Sequence, residues 1–81
     1  MEYEPLIEIF EQDKILLVIV ELPEVSENQM KLITNNDSCK LKVSGPKSFE
    51  KTINFPCKVD NKSRETRFKN GILQIVFKKL D

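Results

Sequence analysis

RFKNGILQIVFKK, Arg67 to Lys79, is the stretch on which the fold turns. An Asn-Gly pair followed by alternating apolar residues is the strongest short-range hairpin signal, because both central residues of the tight turn need positive φ. Asn70-Gly71 therefore predicts a two-residue turn, with Arg64 to Lys69 leading in and Ile72 to Phe77 returning. On the return strand Leu73, Ile75 and Phe77 share one face.

The same period of two recurs upstream, and no stretch sustains a helical period. Leu6 to Glu11 sets Ile7 and Ile9 against Glu8, and Gln12-Asp13-Lys14 makes a turn. Ile15 to Leu22 places Leu16, Val18, Val20 and Leu22 on one face, with Ile15, Leu17, Ile19 and Glu21 on the other. Pro23 stops that run by removing a ladder donor. Glu24 to Asn28 is a polar connection with room for one helical turn. Met30 to Thr34 and Cys39 to Ser44 flank the turn-forming cluster Asn35-Asn36-Asp37-Ser38. Gly45-Pro46-Lys47 leads to a strand carrying Phe49, Lys51, Ile53 and Phe55 on one face, ended by Pro56, and Lys58 to Ser63 is a polar loop. Seven short strands with turns at these intervals predict an all-β, seven-stranded antiparallel β-sandwich, immunoglobulin-like in architecture. The 81 residues form a single domain, 1–81, with its core over approximately 6–79.

Composition narrows the functional classes. Residues 1–29 carry a net charge of −7 and the remainder +7, within a chain of net charge zero. The basic cluster Lys58, Lys62, Arg64, Arg67 and Lys69 is interrupted by Asp60 and Glu65 and has no aromatic stacking platform, which favours solvated strand faces over nucleic-acid binding. The longest apolar run, Ile15 to Val20, is too short to span a bilayer, and no basic-then-apolar leader opens the sequence, so a cytoplasmic location with no membrane partner is expected. There is no His, and Cys39 and Cys57 alone cannot build a structural zinc site, so no metal is expected. Cys39 is in phase with Leu41 and Val43 and reads as core, while Cys57 lies in a connection; a disulfide between them is the alternative to two reduced thiols. Without a His base, an activated Cys, a Gly-rich phosphate loop or an acidic metal cluster, neither catalytic residues nor a cofactor are expected. The carboxylates of Glu2, Glu4, Glu8 and Glu11 read as solubilising charge.

Three stretches together resemble the α-crystallin domain of the small heat-shock proteins. EIFEQDKILLVIVELPEV, residues 8–25, resembles the family's opening strand pair and its Glu-Leu-Pro turn. SFEKTINFPCKVD, residues 48–60, is similar to its Phe, basic, Ile, hydrophobic-Pro, Val-Asp pattern. Asn70-Gly71-Ile72-Leu73 stands where the family has Gly-hydrophobic-Leu. The chain departs from the family at Glu24, where Gly is preferred, at Thr66, where Ala is usual, and at Lys78, where Pro is common. Gly45-Pro46-Lys47 replaces a long dimerisation loop, the first strand begins almost at once, and the sequence ends at Asp81 without an Ile-x-Ile tail. This shortened form also resembles the CS domain of co-chaperones. The resemblance implies an ATP-independent chaperone of the stress response, binding unfolded or partner proteins as a monomer or weak dimer. The alternative it implies is a CS-domain-like adaptor docking one chaperone or ATPase.

Two surfaces are candidates for binding. By resemblance, Leu32, Ile33, Thr66 and Phe68 line the groove that receives the Ile-x-Ile tail, with plain core packing as the alternative for Met30 and Leu32. The apolar face of Ile15, Leu17 and Ile19 is either covered by a neighbouring segment or exposed as a protein-binding patch. Lys51 reads as a packed stem with its ammonium in water.

Overall fold

Alternating burial along each strand builds two antiparallel sheets around one core in the computed structural model, which describes residues 4–80. Glu2 lies outside the described residues. The strands are β1 (Leu6–Glu11), β2 (Ile15–Glu21), β3 (Met30–Thr34), β4 (Ser38–Val43), β5 (Phe49–Asn54), β6 (Val59–Lys69) and β7 (Ile72–Lys79). A single 3-10 turn, Glu27–Gln29, precedes β3. One sheet has the order β1-β2-β7-β6 and the other β3-β4-β5. The seven-stranded sandwich read from the alternation is thus the fold.

β2 is rich in β-branched residues, which suit a pleated surface. It buries Leu16, Val18 and Val20 completely and leaves Ile15, Leu17 and Ile19 half-buried on the opposite face. Leu73, Ile75 and Phe77 from β7 and Cys39, Leu41 and Val43 from β4 complete the inner layers. The rings of Phe77 and Phe55 meet with centroids 5.1 Å apart at a 53° tilt, an arrangement aromatic pairs favour.

Turn chemistry follows the sequence. Asn70 and Gly71 have φ of 53° and 75°, as a primed hairpin turn requires. A Cβ on Gly71 would lie 3.3 Å from the Leu22 carbonyl oxygen, so the bare backbone also lets the hairpin dock on the end of β2, where Leu22 N–H donates to Gly71 O at 2.6 Å. Asn35 Oδ1 accepts from the N–H groups of Asp37 and Ser38, both at 2.8 Å, which folds the β3–β4 turn.

One expected element is corrected. Lys58 to Ser63 is not a loop, because β6 begins at Val59 and runs eleven residues. Asp60 pairs with Lys78 and Glu65 with Val76, with a register shift between. The extra residues are absorbed as a bulge, in which Ser63 Oγ accepts from Lys78 N–H at 2.7 Å and donates to Asp60 O at 2.7 Å.

Candidate protein-binding surfaces

Sheet order makes β3 the edge of one sheet and β6 the edge of the other, so each has a single ladder neighbour. At one end the two edges are joined by polar contacts. Thr34 Oγ1 donates to Asn61 Oδ1, Arg64 Nη1 donates to Thr34 Oγ1 at 3.2 Å, and Asn61 N–H donates to Asn36 Oδ1 at 3.2 Å. From that end the two strands run in opposite chain directions, which carries Leu32 toward Thr66 and Met30 toward Phe68. Leu32 pairs with buried Leu41, Thr66 with buried Ile75 and Phe68 with buried Leu73, so all three side chains share the inward faces of their sheets. Leu32 and Phe68 are half-buried against the core and Thr66 is exposed.

Ile33 does not join them. It pairs with Lys40, is 55% exposed, and stands on the outer face of the three-stranded sheet with Lys31, Lys40 and Lys42. The period of two dictates this, since neighbours along a strand cannot face the same side. Met30, in phase with Leu32, is the residue that takes the place on the inward side.

The second candidate lies on the outer face of the four-stranded sheet. Registers set Phe10, Leu17, Val76 and Glu65 in one row, and Glu8, Ile19, Gln74 and Arg67 in the next. A further row holds Leu6, Glu21, Ile72 and Lys69. Ile15, Leu17 and Ile19 therefore belong to a wider apolar band that includes Phe10, 42% exposed, and half-buried Val76. The three-stranded sheet packs on the other side. Phase along each strand already sets Phe10 with Glu8 and Val76 opposite to Phe77. Only the order β1-β2-β7 puts them beside Leu17.

Charge tightens the ends of the sandwich. Lys79 Nζ bridges Glu11 Oε2 at 2.8 Å and Gln12 O at 2.9 Å, and the Glu11 hydrogen bond holds its ammonium pKa above the usual value. The Lys47 ammonium, 2.7 Å from Glu24 Oε2, pulls that carboxyl below its ordinary range by hydrogen bonding and by charge. Burial pushes the Cys39 thiol up to about 11, partly opposed by the Arg64 charge. Cys39 and Cys57 are both free thiols, and Lys51 is exposed. Among the described residues no group of three or more His, Cys, Asp or Glu is placed to hold a metal ion. No helix among them is long and apolar enough to cross a membrane.

The family model for the GerT C-terminal domain matches residues 9–77, from β1 to near the end of β7. The chain belongs to the GerT C-terminal domain family. No curated protein matches its sequence. Among solved structures, heat shock protein 16.0 from Schizosaccharomyces pombe is 24% identical, with a TM-score of 0.85 over 99% of this chain and 69% of that one. A small heat-shock protein from Xylella fastidiosa superposes with a TM-score of 0.83 at 14% identity, over 100% of this chain and 90% of its own. HSP18.5 from E. histolytica gives 0.82 at 16% identity, over 98% and 90%. This GerT C-terminal domain thus has the sandwich fold of the small heat-shock proteins, as its sequence motifs led one to expect.

Proposed function

We propose that the chain is an ATP-independent, chaperone-like protein-binding domain, non-enzymatic and cytoplasmic, acting as one unit with its core over residues 6–79. It takes extended apolar segments of unfolded proteins along the side where β3 and β6 meet. The observation that carries this reading is that the edge strands β3 and β6 of the two sheets are joined at one end by polar contacts and each carries a half-buried apolar side chain packed on the core, Leu32 and Phe68. Unpaired N–H and C=O groups of an edge accept an added strand, and the apolar contacts supply the drive at about 25 cal/mol per Å² before the costs of association. The fold shared with small heat-shock proteins supports the same class of activity. The test is aggregation of a heat-labile protein. Suppression is expected at a few-fold molar excess, reduced several-fold by Phe68→Ser and unchanged by Ile33→Lys. No suppression by the folded wild-type chain, or an equal effect of both variants, rejects this reading.

A second reading is favoured by one feature. β4 and β5 are direct neighbours joined only by residues 44–48, with no inserted strand for a partner subunit to capture. That suits an adaptor resembling the CS domain. Affinity capture separates the two, since a single stoichiometric partner supports the adaptor and a diffuse set of denatured proteins supports the holdase.

A further inference from the structure

We propose that the outer face of the four-stranded sheet is a symmetric dimer interface whose occupant is a second copy of this chain. The face is largely apolar in its middle, acidic on one flank and net positive on the other. Leu17, Ile19 and Val76 occupy the central strands beside Gln74 and Lys78, Glu8 and Glu21 lie on the β1–β2 side, and Arg67 and Lys69 outnumber Glu65 on β6. Two copies stacked face to face are related by a two-fold axis lying in the interface, and charge decides its direction. An axis across the strands sets β1 on β1 and so brings the acidic side of one copy against the acidic side of the other. An axis along the strands sets β1 on the partner's β6. Glu8 then meets Arg67 of the partner subunit, because the two occupy the same row, and Leu17 meets Val76 of the partner subunit.

The size of the face limits the affinity. Four strands about 4.8 Å apart and about six residues long at a 3.4 Å rise present roughly 400 Å² per copy in projection. A stable complex buries about 800 Å² per partner, so a face of this size supports a weak, reversible dimer rather than a permanent one. Aligned sheet packing at about −30° suits such a pair of twisted faces. The side where β3 and β6 meet remains open in the dimer, so the two proposals stand or fall separately.

Sedimentation equilibrium of the 81-residue chain from about 1 μM to 1 mM tests the interface. A reversible monomer–dimer equilibrium is expected, weakened at least about 10-fold by Leu17→Lys, which sets two ammonium groups into the apolar centre. Glu8→Arg and Arg67→Glu, both exposed and harmless to folding, should each weaken it several-fold, and the double variant should restore it to within about two-fold. Within one chain Glu8 and Arg67 are separated by β2 and β7, about 14 Å by strand spacing. That exceeds the Debye length of about 8 Å at physiological ionic strength, so restoration reports pairing between copies. A chain that stays monomeric throughout, a dimer indifferent to Leu17→Lys, or a double variant weaker than either single one overturns the proposal.

Discussion

Glu24 has a φ of 65°, in the left-handed region that disfavours a residue with a Cβ. The position is the one at which the α-crystallin pattern prefers Gly. Its backbone thus obeys the same geometric demand with a different side chain. The compensation is electrostatic, because the carboxylate reaches Lys47 at 2.7 Å and ties the β2–β3 connection to the β4–β5 turn. Glu24→Gly removes both the strain and the ion pair, while adding freedom to the unfolded chain. The melting midpoint is expected to rise by about 1–4 °C at neutral pH, as relief of a left-handed conformation outweighs an exposed pair. Since Lys47 lowers the Glu24 pKa, the pair's contribution is present above the ordinary carboxylate value of 4.5 and lost as pH falls through the lowered one. The gain of the variant over wild type should therefore grow on acidification. A melting series at two pH values checks it, and a lower midpoint at both refutes it.

β6 is the strand whose full extent the sequence hides. Asp60 to Ser63 is polar and lacks alternation, so it resembles a loop, yet Val59 and Asp60 already pair with Lys79 and Lys78 before the register shift. Ser63 supplies the acceptor that Lys78 N–H would otherwise lack at the register shift. Ser63→Ala is expected to cost about 0.5–1.5 kcal/mol, the net worth of a typical hydrogen bond, since water can reach the exposed Lys78 N–H. Hydrogen exchange should locate the damage, with the Lys78 amide accelerated and the Leu73 and Ile75 amides affected only as global stability falls. By contrast, β3 is bounded at Met30 and Thr34 in the fold as in the alternation. The same alternation assigns Leu32 inward and Ile33 outward, which is why grouping both in one groove could not hold.

The sandwich as a unit makes its stability depend on pH through Cys39, which is fully buried between the sheets. Its thiol is raised from the usual 9.0 to about 11 by desolvation. Between those values the unfolded chain releases the proton while the folded chain keeps it, so stability is complete below about pH 9 and falls as pH rises through that window. The loss is roughly 1.4 kcal/mol for each unit between the two pKa values. Denaturant midpoints at pH 8.5 and 10.5 should differ more for wild type than for Cys39→Ala, whatever other groups contribute in common. Equal slopes for the two proteins would exclude the thiol as the cause.

The sequence by itself determined the seven strands, the Asn70-Gly71 turn and the inward set of Leu16, Val18, Val20, Leu73, Ile75 and Phe77. These depend on alternation and turn geometry, which are properties of contiguous residues. The tertiary structure alone decided which strands not joined by a turn are neighbours, β2 beside β7 above all. Only through the order β1-β2-β7-β6 do Phe10, Leu17 and Val76 become one apolar row flanked by Glu8 and Arg67. Only the crossing of two sheets sets Leu32 of β3 on the same open side as Thr66 and Phe68 of β6. Pairing across a sandwich joins residues far apart in the chain, and a period of two specifies which way each one points but not what stands beside it.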